Sequence, residues 1–263
     1  MVQQLSLMAS IGDDDFELFK TSMTILTGSP AVVFADITTV WKPDPRYNID
    51  NVNSKNELVE PTRLKTSTNL PLEMIVPDEK YKKNGVSCEP IFEKLKDGEP
   101  PIDASDIYKL VEEPENKTVS WTLTTADIPA AGNNRKVTMQ AIQESTILQQ
   151  SGKEPALKSF MQQLGYAMDY IYITVGVRFT HRHDLFIHCQ KVWDIRQSRI
   201  KEVTKGGFLV NAFVNVRRAT DIERLNHAET SLLALQKDVS GYVEFSVPDR
   251  KSMDLRMHNM PKI

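Results

Sequence analysis

The sequence is poor in cysteine, in basic excess and in long apolar runs, and each shortage removes a class of protein. Its two cysteines, Cys88 and Cys189, lie about a hundred residues apart, so there is no CxxC spacing for a zinc ribbon and no disulfide framework for a small secreted fold. The expected compartment is reducing, cytosol or nucleus. The longest aliphatic or aromatic run, Ala31 to Ala35, has five residues, against roughly 20 for a helix that crosses a bilayer. No apolar secretory segment stands at the N-terminus. A formal net charge of -3 gives no overall basic footprint for nucleic acid. Phosphate-binding loops of the GxGxxG or GxxxxGK[ST] type are missing, and so is a G-x-S-x-G elbow. What is present is an ordinary balance for a folded chain, 40% hydrophobic and 25% charged over 263 residues.

The chain changes character along its length. Eleven of fourteen prolines lie between Pro30 and Pro129, which predicts a loop-rich first half. Between Asp78 and Lys117 stand 11 acidic and 7 basic residues. The chain's whole acidic excess sits in that window, which reads as a solvated, loop-rich insertion at about 78–117 with a short helix from Ala104 to Glu113. Strand-like pieces resume on both sides of it, so the expectation is a single β-barrel domain over residues 1–263.

Two-residue alternation supplies most of the regular structure. From Gly165 to Phe179, Ala167, Ile171, Ile173, Val175, Val177 and Phe179 are apolar and only Asp169 breaks the pattern, as in a long strand with one dry face. A turn at His181-Arg182-His183-Asp184 leads into a return strand through Leu185, Ile187, Cys189 and Trp193. Phe208, Val210, Ala212, Val214 and Val216 mark another strand, and Val243, Phe245 and Val247 a further one. Earlier candidates are Val2 to Met8, Ala31 to Lys42, Leu70 to Val76, Glu89 to Leu95, Val119 to Thr125 and Val137 to Leu148. About ten strands are too many for one open sheet. The expected fold is mainly β, α+β by content: a large antiparallel barrel of about 8–12 strands with flanking helices.

Three helices are expected beside the strands. One starts in Asp13-Asp14-Asp15 and ends at Gly28, with Phe16, Phe19, Met23 and Leu26 on one stripe, as a plug or lid for a barrel. A second spans Pro155 to Leu164. The last opens with a capping box at Thr220-Asp221-Ile222-Glu223 and runs to about Val239 on a packing face of Ile222, Leu225, Leu232 and Leu235.

Candidate chemistry is sparse. His181, His183 and His188 are the nearest thing to a metal cluster, but ligands must converge at about 2 Å. His181 and His183 bracket a turn while His188 faces away from Leu185 and Cys189, so they read as solvated turn histidines. The only Glu-x-Glu is Glu113-Pro114-Glu115, interrupted by proline in the charged window. Asp169, Glu144 and Glu244 are single strand carboxylates and read as isolated charges. No catalytic residue, metal or cofactor is expected. Lys191, Arg196, Arg199, Lys201 and Lys205 gather on what reads as a solvated loop between strands, or as a contact for an acidic protein partner.

The positive clue is aromatic. Tyr166, Met168, Tyr170 and Tyr172 line the nominally polar side of the Gly165 to Phe179 strand, so that side needs a cover, either one of the chain's own helices or another polypeptide. These four, with Phe16 and Phe19, are the candidate packing or partner-binding residues.

Five stretches carry a family resemblance: MVQQLSL with SIGDD (1–14), VWKPDPRYNIDNVNSKNELVEPTRLK (40–65), ADIPAAGNNRKVTMQ (126–140), GGFLVNAFVNVRRATDIERLN (206–226) and GYVEFSVPDRKSMD (241–254). They cover over a third of the chain in colinear order, and they resemble the fungal form of Mediator complex subunit 18. Nothing aligns in the 78–117 window. The resemblance implies an antiparallel barrel similar to that of metal-dependent RNA triphosphatases, without catalytic activity. It implies a heterodimer with Mediator subunit 20, tethered by a C-terminal helix of subunit 8 to the rest of the head module. It further implies nuclear residence and an indirect link to RNA polymerase II in transcription regulation, with no direct contact to nucleic acid or membrane. The rival that the barrel type invites is a divalent-metal-dependent triphosphatase of the tunnel type, which needs paired carboxylates on facing strands.

Overall fold

The computed structural model describes residues 1–47, 60–75, 100, 102–112, 119–130, 135–149, 156–196 and 199–257. In chain order its elements are β1 (Val2–Gly12), α1 (Phe16–Thr27), β2 (Val32–Pro43), β3 (Leu64–Asn69), α2 (Leu72–Ile75), α3 (Ala104–Glu112), β4 (Val119–Ala126), β5 (Thr138–Gln149), α4 (Ala156–Gln163), β6 (Tyr166–His181), β7 (Leu185–Arg196), β8 (Arg199–Glu202), β9 (Gly207–Val216) and α5 (Ile222–Asp238). The strands pair in the order β6-β2-β3-β4-β5-β1-β9-β7, and β7 pairs back onto β6. Every pairing is antiparallel. Eight strands therefore close into a barrel, which removes the sheet edges that an open array would expose. The ninth, β8, pairs with the far half of β7, from Trp193↔Glu202 to Arg196↔Arg199.

Alternation decides which side chains face inward. Ile171, Ile173, Val175, Val177 and Phe179 of β6, Leu185, Ile187, Cys189, Trp193 and Ile195 of β7, and Phe208, Val210, Ala212, Val214 and Val216 of β9 are all buried in one core cluster. Their partners on β1 are Leu5, Leu7, Ala9 and Ile11. The interior is a packed core, with Trp41, Trp121, Trp193, Phe16, Phe19, Phe179 and Phe208 among its largest fully buried side chains. A buried indole N–H without an acceptor costs roughly 1–3 kcal/mol. Trp41 Nε1 donates to Thr66 Oγ1 at 2.8 Å and Trp121 Nε1 to Gln149 Oε1 at 2.7 Å.

The α1 helix plugs one end, as expected. Phe16 stacks on Phe208 with centroids 4.5 Å apart, and Phe19 meets Phe179 edge-on at 6.3 Å. Gly28 stops the helix in the left-handed region at φ 65° and donates its N–H to Thr24 O at 3.0 Å, the conformation that favours glycine. The α5 helix buries Ala228, Leu232 and Leu235 in the same cluster.

Several expectations are corrected. Leu70 to Val76 holds the short helix α2 instead of a strand, because its apolar residues Leu72 and Ile75 are spaced for a helical turn. Residues 241–247 bury Val243 and Phe245 as the alternation predicts, but make only one bridge, Ser246↔Met8. Asp221, not Thr220, caps α5, accepting from the Arg224 N–H at 3.2 Å, and Ile222 is exposed. In the charged window Ile102, Ile107 and Val111 join the core, so that stretch is packed, not solvated. The expected strand from Glu89 to Leu95, Cys88 and Glu113-Pro114-Glu115 lie outside the described residues. Strands β3 and β8 were not expected: LKTSTN and RIKE are too polar to show a dry face.

Lys191 is the largest correction. It occupies an inward position of β7 and is fully buried, not on a solvated loop. Its Nζ lies 2.9 Å from Glu202 Oε1 in a hydrogen bond and 2.9 Å from Asp13 Oδ1. The Asp13 contact has ion-pair distance without hydrogen-bond geometry, so Glu202 is the directional partner. The ammonium also sits 5.0 Å from the Phe208 ring centroid, a favourable cation–π position. Asp13 thus anchors the start of α1 to β7 and β8. Removing one partner of a buried ion pair costs roughly 3–5 kcal/mol because the remaining charge is left uncompensated. Lys191→Met is expected to lower the urea midpoint strongly, and adding Asp13→Asn and Glu202→Gln is expected to recover much of the loss.

On the outer wall His188 is packed, not solvated. Its ring lies 4.9 Å from Phe34 and 5.0 Å from Phe213, which stacks on Phe186 at 5.5 Å. Phe34 pairs across from Gly176, where a Cβ would come within 2.2 Å of the Cys189 carbonyl oxygen, so glycine permits the close approach of β6 and β7. Burial, then the Arg178 charge, push the His188 imidazole down to about 4 from 6.5. Between those values the unfolded chain binds a proton that the folded chain excludes. Stability is therefore full above pH 6.5 and falls as the pH is lowered toward 4, by an amount on the order of 3 kcal/mol or less. Asp36, raised by burial against the opposing pull of Arg178, acts with the opposite sign from pH 3.8 upward. Replacing His188 by Gln is expected to flatten the fall in Tm between pH 6.5 and pH 4, measured against the unsubstituted chain.

Candidate interaction surface

A β-bulge splits the aromatic strip that the sequence places on one face. Along β2 and β6 the register jumps from Val40↔Tyr170 to Trp41↔Met168, leaving Asp169 as the extra residue. One extra residue reverses the side to which the following side chains point. Tyr166 and Met168 accordingly pack against the interior cluster, whereas Tyr170 and Tyr172 stay on the outer wall. Phe16 and Phe19 are buried in the chain's own core.

Asp169 is not an isolated charge. Its carboxylate takes Lys42 Nζ and Arg63 Nε at 3.1 Å each. Burial pushes its pKa up, but the hydrogen bonds from Lys42 and Arg63 outweigh this and hold it below the usual range. The bulge is thereby pinned by charges from β2 and from the chain just before β3.

The outer wall continues from the tyrosines into a basic strip. Thr38, Tyr172, Asp194 and Lys201 form one cross-strand row over β2, β6, β7 and β8. Beside it lie Val40, Tyr170, Arg196 and Arg199, with the Arg196 guanidinium 4.6 Å from the Tyr170 ring centroid. The two tyrosine rings are 6.4 Å apart and both are half-buried. Burial, then the neighbouring Tyr172, push the Tyr170 phenol above its ordinary pKa. Arg196 also donates to Asp194 at 2.9 Å. Counting Lys42 and Arg63, this wall carries five cations against the two carboxylates Asp169 and Asp194, on a chain whose net charge is -3. Tyrosine and arginine are the side chains most enriched where proteins bind each other. The basic group was visible in the sequence, but its place on a strand was not.

The remaining candidates do not assemble into a reaction centre. Among the described residues no three His, Cys, Asp or Glu side chains are grouped as metal ligands. Glu144 is exposed on the outer side of β5, and Glu244 is exposed and accepts the Gly241 N–H at 3.3 Å. Inside, Glu202 and Asp13 are both engaged by the Lys191 ammonium. The Cys189 thiol is buried and its pKa is pushed well up by burial, which makes it an inert packing residue. A cleft of about 490 Å³ on the outer wall, lined by Asp36, Ser67, Asn69, Ser120 and Thr122 among others, is polar and shallow in chemistry.

Comparison with known proteins supplies the family. The family model described as "Med18 protein" matches residues 3–256. Mediator of RNA polymerase II transcription subunit 18 of Candida glabrata is 61% identical over 256 residues, covering 97% of this chain and 96% of that protein. The Saccharomyces cerevisiae protein of the same name is 37% identical, covering 98% of each. Among solved structures, a chain in the Schizosaccharomyces pombe Mediator head module superposes with a TM-score of 0.61 at 12% identity, over 94% of this chain and 98% of that one, which shows a shared fold. With the family model spanning nearly the whole chain and relatives matched from end to end, the chain belongs to the Mediator subunit 18 family.

Proposed function

We propose that the chain is a non-catalytic subunit of the Mediator head module in the nucleus. It pairs there with subunit 20, receives a helix of subunit 8, and through the assembled head helps relay regulatory signals to RNA polymerase II. The observation that carries this reading is the division of labour between the two sides of the barrel wall. The inward side is a dry core of tryptophan, phenylalanine and aliphatic side chains, which leaves the outer side to do the molecule's work. That outer side carries half-buried tyrosines, a stacked arginine and a net positive strip, the make-up of a protein-binding surface with anchors and a polar rim.

A tunnel-type triphosphatase would need carboxylates converging on metal and phosphate inside the barrel. The inward positions from Leu5 to Ile11 of β1, Ile171 to Phe179 of β6, Leu185 to Ile195 of β7 and Phe208 to Val216 of β9 are instead apolar apart from Lys191, and its ammonium is held between Glu202 and Asp13.

Co-expression with subunit 20 is expected to give a stable one-to-one complex in size-exclusion chromatography. A monodisperse monomer whose elution ignores subunit 20 would count against the proposed pairing.

A further inference from the structure

Strand β8 follows β9 along one edge of β7 and ends the strand order, and among the described residues no strand pairs with its other edge. The phase of that edge follows from one bond, Val203 N–H to Val192 O at 2.8 Å. In an antiparallel pair the N–H and C=O of alternate residues point to the same side. Arg199, Lys201 and Val203 therefore turn their backbone groups toward β7, and Ile200 and Glu202 turn theirs to the free edge. The side chains alternate too. Ile200 packs on the core and Glu202 holds Lys191, so Arg199, Lys201 and Val203 project outward and are exposed.

Two features of that outer side call for an anion. Arg199 lies directly across from Arg196, and like charges directly opposite each other destabilise a strand pair. Among the described residues Arg199 and Lys201 have no carboxylate partner, while the nearest one, Asp194, already pairs with Arg196. An unpaired edge is a template for another chain, and its shortness and cations, which discourage strand addition in general, leave an acidic strand as the matched partner.

We propose that an extended, acidic segment of another head-module subunit adds to the free edge of β8 as a further strand. Its backbone bonds to Ile200 and Glu202, and its carboxylates lie over Arg196, Arg199 and Lys201. This rests on the reading of the chain as a head-module subunit. The free backbone groups select a polypeptide over a nucleic acid. So does Tyr170, whose ring face is taken by Arg196 and is not open for base stacking.

The test compares hydrogen–deuterium exchange in the chain alone and in the co-expressed head module. The Ile200 and Glu202 amides are expected to exchange about tenfold or more slowly in the module. The pair Arg199→Glu and Lys201→Gln removes the like-charge pair with Arg196 and sets no carboxylate across from Asp194, so the free variant is expected to melt no lower than the unsubstituted chain. It should nevertheless enter the module about tenfold more weakly, with a smaller dependence on salt. A chain that fails to enter the module removes the reading of its function, and this proposal with it. Unchanged exchange at Ile200 and Glu202 inside an intact module overturns this proposal alone, as does undiminished entry of a well-folded variant. Protection of the same amides by single-stranded oligouridylate, without protection in the module, assigns the edge to nucleic acid and overturns it as well.

Discussion

A closed ring whose strands β1, β6, β7 and β9 turn an apolar stripe inward has to fill its own interior, because side chains on the inner wall have nowhere else to escape water. The filling here is done by Trp41, Trp121 and Trp193 from the strands and by Phe16, Phe19 and Met23 from α1. Ring closure depends on β6, which is paired to β2 along one edge and to β7 along the other. Its inward residues Ile171 to Phe179 are part of the core that α1 seals. Packing of the interior and closure of the ring are one condition, since neither holds without the other. The dry interior also sets the terms for Lys191, whose charge is tolerated only because Glu202 and Asp13 face it.

Under the proposed function, that condition places the binding surfaces on the outside. A filled barrel is a rigid block, and what distinguishes one wall from another is the set of side chains on odd or even positions of each strand. On β6 and β7 this set is unusual at both ends: Phe34, His188, Phe186 and Phe213 make an aromatic cluster at one, and Tyr170, Tyr172, Arg196, Arg199 and Lys201 a basic aromatic strip at the other. The Asp169 bulge marks where the strip begins, because it turns Tyr166 and Met168 inward and leaves Tyr170 and Tyr172 out. A structural irregularity fixed by Lys42 and Arg63 thus determines which aromatics lie on the outer wall.

The long alternating segments were legible in the sequence because burial on one face imposes a strict two-residue period, as in β6, β7 and β9. The α1 plug was legible through its Phe16, Phe19 and Met23 spacing and the Gly28 stop. What escaped was set by tertiary context. Strands β3 and β8 carry mostly threonine, serine or charge, and gain their order from neighbours already in the ring. The side-chain parity of Tyr166 and Met168 depended on a bulge that no local pattern marks. Lys191 read as surface because its two carboxylate partners come from other elements, Asp13 before α1 and Glu202 on β8. For the same reason the position of the four residues along β6 was readable, and the side of the wall that Tyr166 and Met168 face was not.

The central claim, a barrel with a dry, filled interior, is tested most directly by hydrogen exchange of the three indole N–H protons, followed by NMR. Trp41 and Trp121 are hydrogen-bonded inside the wall, and Trp193 has a buried N–H with no acceptor among the described residues, so its protection comes from burial alone. All three are predicted to exchange only through global unfolding, with one common denaturant dependence. Exchange of Trp193 within minutes under native conditions, while the backbone amides of β6 and β7 stay protected, would mean a wet channel through the barrel and would contradict the account.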